Sequence, residues 1–383
     1  MHRLVRRPQR RAEGQILVVF ALGLIALLAG VALVLEGGNT YQNQRSVQNG
    51  ADAASEAGAV MIAKGLSTGV AKSDAEVASA VGSSGFFNNI TVTAYYTDWQ
   101  GNPLDSSGNI VAPNLAVVVG LSPNGAVPPN GRGVHASGTR TFGTTFGRVI
   151  GFNSFTATAD ATAVTGPSTG GKLLPVVFPV NITDCSQNGS LGLPKNQWDV
   201  SQPSTATPPG HPVGTEYIVP LCKTGGGSFM VLDLDGIKNN CEYEVLHPKT
   251  TPFDHFPIDV DSDNGNNCAH QMVDAVNSLQ GETVLIPICD DNDCNTSGGS
   301  HASYHITGVV SFYIDYMDDS NNKNNSNCQT HYNNETPPQQ LVTIAGNGSS
   351  SCIAGWFIRF ISAGPVGPGT VENGDALSVQ LIK

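Results

Sequence analysis

The sequence predicts an α+β fold that is mostly β. We expect one N-terminal transmembrane helix extended by an outer helix, then a small β-rich module and a larger disulfide-rich β sandwich or barrel-like ectodomain. Three observations predict this fold: residues 16–35 are apolar and uncharged, 44 glycines and 23 prolines accompany a charged fraction of only 13%, and all eight cysteines lie in the second half of the chain. Short apolar runs separated by Gly and Pro are typical of strands joined by turns.

The composition excludes several classes of protein. A hydrophobic fraction of 40% with a single long apolar run argues against a disordered chain and against a polytopic membrane protein. Nucleic acid is not an expected partner, because 31 acidic residues outnumber 19 basic ones and the net charge is −12. Basic charge is concentrated in residues 1–15, which we expect to be a cytoplasmic tail containing Arg3, Arg6, Arg7, Arg10 and Arg11.

The apolar run at residues 16–35 predicts a membrane span, because twenty helical residues extend about 30 Å, the thickness of a bilayer core. A signal peptide is the alternative, but its apolar stretch is only roughly 7 to 15 residues long and ends in a small-x-small cleavage site. Here the run ends in Glu36, and the first Ala-x-Ala sites, at 51–53 and 57–59, lie far beyond it. We therefore expect a retained anchor. Five arginines before the span and none directly after it predict a cytoplasmic N-terminus and a periplasmic or extracellular C-terminal domain.

Residues 36–66 are predicted to continue the helix outward. Small residues recur at spacings of three and four and form a stripe, made of Val47, Ala51, Ala54 and Gly58. Such residues allow a neighbouring backbone to approach closely. Two interpretations remain open: the stripe packs against a partner helix in an assembly, or it docks on the protein's own ectodomain.

A β-rich module is predicted at residues 88–165. Apolar residues alternate with Thr and Asp over 155–163, which is the period of a half-buried strand. Further strands are expected at 90–96 and 110–121. Residues 166–172 include three glycines and a proline and are expected to form a linker.

The ectodomain, residues 173–383, is predicted to be β-rich as well. Its apolar runs are short and separated by Gly, Asn and Pro, and the clearest are at 217–221, 284–288, 306–316 and 353–361. One helix is expected at 269–279, and the Asn-rich residues 318–334 are expected to form a loop.

Eight cysteines on the outer side of a membrane predict disulfides, although the sequence does not choose their pairing. Cys289 and Cys294 are close enough in sequence to close a short loop. Structural zinc is the alternative, since Cys268 and Cys328 each have a histidine close behind, but no pair of Cys-x-x-Cys knuckles accompanies them. The predicted disulfide cysteines are Cys185, Cys222, Cys241, Cys268, Cys289, Cys294, Cys328 and Cys352.

Alternate carboxylates at Asp259, Asp261 and Asp263 resemble the opening of a calcium loop, in which such groups converge on one hard cation. His270 stands where the closing glutamate is expected, so an acidic turn is the simpler interpretation. Asp233 and Asp235 form a weaker fragment of the same kind. No other cofactor is expected.

No catalytic motif is present in the sequence. It lacks a Gly-x-Ser-x-Gly elbow, a His-Glu-x-x-His site and a phosphate-binding Gly-rich loop. We therefore predict no catalytic residues and no enzymatic activity.

The N-terminal region combines Glu13-Gly14-Gln15, the apolar helix, Leu35-Glu36-Gly37-Gly38 and the run Val47-Gln48-Asn49-Gly50-Ala51-Asp52-Ala53-Ala54. These residues resemble the N-terminal signature of the Flp (tight-adherence) pilus-assembly TadE/TadG-like family over residues 13–64. The family usually has Asp-x-Gly where this chain has Glu36-Gly37-Gly38, so the carboxylate is kept. The signature positions are Glu36, Gln48, Ala51, Asp52, Ala53 and Ala54.

The resemblance implies a bacterial membrane protein nearest to the TadG-like branch. Prepilins are cut after a Gly and carry a Glu five residues beyond it. Cleavage after Gly14 would place Val19 where this Glu is required, so we predict an uncleaved anchor. Larger TadG-like proteins can carry a von Willebrand type A domain with an Asp-x-Ser-x-Ser metal site. Residues 184–188 come nearest and lack the second Ser, so we assign no such domain.

The resemblance implies a non-catalytic, single-pass component of Flp pilus assembly or anchoring, which acts through helix packing and an extracytoplasmic β-rich domain. The expected partners are the lipid bilayer and pilus or secretion-machinery proteins, while the oligomeric state is left open. The alternative is an anchored surface-binding or adhesion module that uses the Tad-like segment only for delivery to the cell surface.

Overall fold

The computed structural model describes residues 13–84, 90–180, 195–201, 212–221, 231–248, 253, 255–263, 265–289, 303–318, 340–341, 351–369, 371 and 375–382. Within these ranges the chain forms one long helix followed by a β-rich region with two sheets. The predicted α+β class with mostly β structure is therefore confirmed.

The first helix, α1, is Glu13–Thr68 and contains 56 residues. The predicted span and the predicted outer helix are one continuous element, roughly 84 Å long at the usual helical rise. No proline interrupts it, and Gly37 and Gly38 lie within it although glycine weakens a helix. Its apolar N-terminal part is exposed, and among the described residues α1 is the one helix long and apolar enough to cross a membrane.

The first sheet has five strands. They are β1 Thr91–Thr97, β2 Gly133–Gly143, β3 Ser154–Pro167, β11 Ile361–Ala363 and β12 Leu377–Ile382. Their spatial order is β1-β2-β3-β12-β11, and all neighbours are antiparallel except the parallel pair β11 and β12. The outer half of α1 and a second helix, α2 Asp74–Ser84, pack on this sheet and share its core.

The second sheet is mixed and has seven strands within the described residues. They are β4 Phe178–Pro179, β5 Tyr217–Leu221, β6 Ile258–Asp261, β7 Thr283–Cys289, β8 Ser303–Asp318, β9 Gln340–Leu341 and β10 Ser351–Phe357. The order is β4-β7-β8-β10-β5-β9, with β6 paired to β8. In its core Phe178, Phe312 and Phe357 meet edge to face, and the helices α3 Cys241–Leu246 and α4 Gly265–Asn277 pack against the same core.

Most predicted elements are present, with one clear exception. The strands expected at 90–96, 155–163, 217–221, 284–288 and 306–316 and the helix expected at 269–279 correspond to observed elements. The strand predicted at 110–121 is wrong, because the chain forms a 3-10 helix at Pro113–Leu115 and only isolated bridges around it. Pro113 has no backbone N–H and cannot take part in a continuous ladder.

The sandwich-or-barrel prediction is also refined by the structure. Both sheets have open edges, so no closed barrel is formed within the described part of the chain. The predicted loop at 318–334 lies outside the described residues, apart from Asp318 at the end of β8.

Residues 166–172 do not form the free linker that their composition suggests. Ser168 and Thr169 are buried, and a Cβ added to Gly166 would meet Val366 Cγ1 at 2.8 Å. The glycine therefore serves close packing between segments.

The C-terminus returns to the first sheet. Strand β12 pairs with residues 162–167 of β3, so residues that the sequence places in the ectodomain complete the first sheet. Just before β12, the N–H of Ala376 donates to the carbonyl of Val309 in β8 at 3.0 Å. The two sheets are thus tied together by the end of the chain.

Candidate functional site at the junction of the long helix and the first sheet

The small-residue stripe of α1 faces the protein's own first sheet. Val47, Ala51 and Ala54 are fully buried, and a Cβ added to Gly58 would meet Val134 Cγ2 of β2 at 2.7 Å. From the opposite side, a Cβ added to Gly138 of β2 would meet Val47 Cγ1 at 3.1 Å. Of the two interpretations left open by the sequence, the structure shows intramolecular docking, because the sheet already covers the stripe.

Two glutamines on α1 bind the backbone of β3. Gln44 Nε2 donates to the Thr158 carbonyl at 2.7 Å, and Gln48 Nε2 donates to the Asp160 carbonyl at 3.2 Å. Both carbonyls lie in the part of β3 that β12 does not reach, since β12 pairs only with residues 162–167. The amides therefore supply hydrogen-bond donors along this stretch of the strand.

The remaining signature residues complete the docking face. Gln48 Nε2 also donates to Asp52 Oδ1 at 2.8 Å, one turn further along the helix. Ala51 and Ala54 are buried, whereas Asp52 and Ala53 are half-buried. The spacing in the Gln-x-x-Ala-Asp-Ala-Ala run thus places small side chains under the sheet and an amide–carboxylate pair beside it.

Glu36 marks the end of the apolar part of α1 and binds the loop between β2 and β3. We call residues 144–153 the tip loop. Glu36 Oε2 accepts the N–H groups of Thr145 and Phe146, each at 3.1 Å. The tip loop is thereby held beside the helix directly after the last residue of the predicted span.

The tip loop and the start of β3 expose several large apolar side chains. Val149 is 84% exposed and Phe152 is 58% exposed, while Phe146 and Phe155 are exposed to a lesser degree. Phe152 and Phe155 stack with ring centroids 6.4 Å apart. The loop therefore presents an apolar surface next to the apolar span, a feature that the sequence reasoning missed because periodicity does not predict the exposure of loop residues.

The carboxylates of Asp259, Asp261 and Asp263, which the sequence predicts as calcium ligands, do not converge in the structure. Asp259 Oδ1 lies 2.7 Å from His305 Nδ1 in the neighbouring strand β8, and Asp261 is exposed. Asp263 is buried, and both of its carboxylate oxygens accept the N–H of Asn239, at 2.9 and 2.8 Å.

A different acidic group does converge. Oxygens of Asp233, Asp235 and Glu244 lie within 4.8 Å of one another. Burial raises the pKa of Glu244 to about 7, and the charges of Asp235 and Asp233 act in the same direction, against the backbone N–H groups that the carboxylate accepts. Sequence reasoning noted the two aspartates and did not connect them with Glu244.

Four of the eight predicted disulfide cysteines are described, and none of these four is free. Cys241 and Cys268 form a disulfide that joins α3 to α4, while Cys289 and Cys352 are also disulfide-bonded. Because both sulfurs are oxidised, the cluster of Cys241, Cys268 and Asp263 offers no thiolate for zinc. The other four cysteines, Cys185, Cys222, Cys294 and Cys328, and the five N-terminal arginines lie outside the described residues.

The geometry defines a class of protein in which a long, partly apolar N-terminal helix carries a β-rich body through direct docking contacts. Residues 14–61 match the Tad family, described as Flp pilus-assembly TadE/G-like. The resemblance seen in the sequence is confirmed over this segment, and it supports a part in Flp pilus assembly in general. No curated protein and no solved structure matches the chain.

Proposed function

We propose that this chain is a non-catalytic, single-pass membrane component of Flp pilus assembly or anchoring, of the TadG-like kind. Helix α1 is its retained anchor, the N-terminal tail is cytoplasmic, and both sheets lie outside the membrane. The match of residues 14–61 to the Tad family supports the pilus connection. Five arginines before the span support the orientation.

The observation that carries the proposal is that the signature residues attach the first sheet to helix α1. Glu36 and Gln48 bind backbone groups of the tip loop and β3, and Ala51 and Ala54 are buried at the helix–sheet contact. Because α1 is continuous, the first sheet is fixed to the anchor. Pilus or secretion-machinery proteins are the partners that such a mounted body would meet.

The tip loop would seat the first sheet on the membrane surface. Its exposed Val149 and Phe152 lie in the loop that Glu36 holds at the end of the apolar span. Aromatic and aliphatic side chains at this depth gain free energy by leaving water for the interfacial region of the bilayer. The body would then be held by the helix and by the loop together.

Deletion of the chain tests the role in assembly. We expect a strain lacking it to lose Flp pili in electron micrographs, and wild-type protein supplied in trans to restore them. Normal pili in the deletion strain would overturn the proposal and favour an anchored adhesion module. Mass spectrometry of membrane-extracted protein should detect peptides from residues 1–14, and a mature N-terminus at Gln15 would contradict the retained anchor.

The tip loop is tested by the double variant Val149→Asp/Phe152→Asp. Charge at these positions should reduce pilus number, because the loop no longer favours the bilayer interface. Val213→Asp is the matched control, since Val213 is also an exposed apolar residue, at 77% exposure, and lies outside the tip loop. Equal pilus numbers for the double variant and wild type would contradict a membrane role for the loop.

A further inference from the structure

The acidic group of Asp233, Asp235 and Glu244 follows the spacing of a calcium-binding loop. If Asp233 is position 1 of a twelve-residue segment, Asp235 is position 3 and Glu244 is position 12. In calcium loops of this length, positions 1 and 3 supply carboxylates and position 12 supplies a glutamate. The segment departs from the usual pattern in its glycine, since Gly236 stands at position 4.

The structure brings these three residues together. One carboxylate oxygen of each residue lies within 4.8 Å of the other two, although Glu244 is in helix α3 and the aspartates precede it in a loop. Glu244 Oε1 accepts the N–H groups of Leu234 and Asp235, at 2.7 and 2.8 Å. These two bonds fix the glutamate against the start of the loop.

The strongest evidence for a bound cation comes from the second carboxylate oxygen of Glu244. The residue is only 4% exposed, and Oε2 is buried with no hydrogen-bond partner within the described part of the chain. Leaving a buried carboxylate oxygen without a hydrogen-bond partner destabilises the folded state. A cation beside Asp233 and Asp235 would satisfy this oxygen directly.

The three carboxylates of the acidic group also carry more negative charge than their positive neighbour neutralises. Lys238 Nζ binds Asp233 Oδ2 at 2.9 Å and also donates to the Ser262 carbonyl, which leaves one ammonium group against three carboxylates. The side chain of Lys238 is 39% exposed, while that of Asp233 is 5% exposed. The ammonium group is therefore able to move into solvent when a metal ion takes its place.

We propose that Asp233, Asp235 and Glu244 bind one Ca²⁺ ion, with Glu244 Oε2 as the buried ligand. An all-oxygen set of carboxylates suits a hard cation and does not suit zinc, which prefers nitrogen and sulfur. Calcium accepts six to eight oxygens in flexible geometry, so water and backbone carbonyls complete the shell. The disulfide of Cys241 with Cys268 holds the first residue of α3, three residues before the ligand glutamate.

Calorimetric titration of CaCl₂ into full-length, chelator-stripped protein in detergent tests the site. We expect one bound ion, with a dissociation constant of about 10⁻⁴ to 10⁻³ M as in extracellular calcium-binding modules. Glu244→Gln should weaken binding at least tenfold. Asp261→Asn, the same change at an exposed carboxylate nearby, should bind as wild type does.

Two further variants separate a metal site from a structural cap. Lys238→Met should tighten calcium binding severalfold, because the competing ammonium group is gone, an effect that a purely structural glutamate would not produce. If Glu244→Gln does not fold by circular dichroism, Asp235→Asn replaces it, since the Asp235 side chain is exposed. No calcium heat with wild-type protein, or unchanged affinity in the ligand variants, would overturn the proposal.

Discussion

His135 is the residue from which we expect a pH-dependent stability of the first sheet. The imidazole ring stacks on Tyr95 with centroids 4.5 Å apart, and its Nδ1 lies 2.8 Å from Thr162 Oγ1 across the β2–β3 pair. Burial lowers the pKa of His135, and the nearby Asp160 carboxylate opposes the shift only in part. The folded sheet therefore binds a proton at this site less readily than the unfolded chain does.

The sign of the pH effect follows from this difference. Because the folded pKa is depressed, the stability that the neutral imidazole provides is present above the unfolded pKa, about 6.5, and is lost as the pH falls through the folded value. We expect the thermal midpoint to fall between pH 7.5 and pH 5, and His135→Gln to show a shallower fall. Parallel profiles for wild type and variant, measured by circular dichroism in detergent, would contradict this assignment.

The docking of α1 on the first sheet depends on close approach of the helix to β2 at Gly58. A Cβ at this position would meet Val134 Cγ2 at 2.7 Å and Val81 Cγ2 at 3.1 Å, side chains of β2 and α2. The same helix–sheet core contains the fully buried Tyr96, whose hydroxyl donates to Asp74 Oδ1 at 2.6 Å. Helix α1, helix α2 and strand β2 therefore meet at Gly58, where α1 carries no side chain.

Gly58→Leu should separate the helix from the sheet. Overpacking of a filled core costs about 1–3 kcal/mol, so we expect a lower thermal midpoint than wild type. Gly82→Leu is the matched control, because Gly82 is also helical and a Cβ there meets nothing within 4 Å. That change should leave stability unchanged or raise it by roughly 0.5–1 kcal/mol, since leucine is the better helix former. Equal destabilisation by both variants would show that Gly58 is not a close contact.

The C-terminal strand of the chain completes the first sheet, on which the long helix docks. Strand β12 pairs with β3 over residues 162–167, more than 200 positions earlier in the sequence. Thr165 Oγ1 donates to the Ser378 carbonyl, and Ser378 Oγ donates to Ser168 Oγ at 2.8 Å. The last strand that completes the first sheet therefore comes after all the strands of the second sheet in sequence.

Leu377→Asp tests this long-range dependence. Leu377 is 1% exposed, and a buried, unpaired carboxylate is strongly destabilising. We expect faster hydrogen exchange at the backbone amides of residues 162–166 and a lower thermal midpoint. Leu381→Asp, on the same strand at 41% exposure, should change neither. Unaltered exchange in the Leu377 variant would mean that β3 is stable without its C-terminal neighbour.

Sequence patterns predicted those helices and strands that depend on the periodicity of neighbouring residues. The alternation at residues 155–163 predicts β3, and its alanines 157, 159, 161 and 163 are all buried while Thr156, Thr158 and Asp160 are exposed. Composition was misleading at residues 166–172, because a tightly packed glycine and a flexible one look the same in sequence. Glu244 was not connected with Asp233 for a similar reason, since a helix and a loop bring them together only in the fold.

Sequence alone is enough to identify the apolar span, the excess of arginine before it, the Tad-like signature and the small-residue face of the helix, because each of these depends on neighbouring residues along the chain. The folded structure is needed to show what covers that face, which strand closes the first sheet, and which carboxylates share a site. These outcomes depend on contacts between residues far apart in sequence, where helical period or turn composition carries no information about the partner.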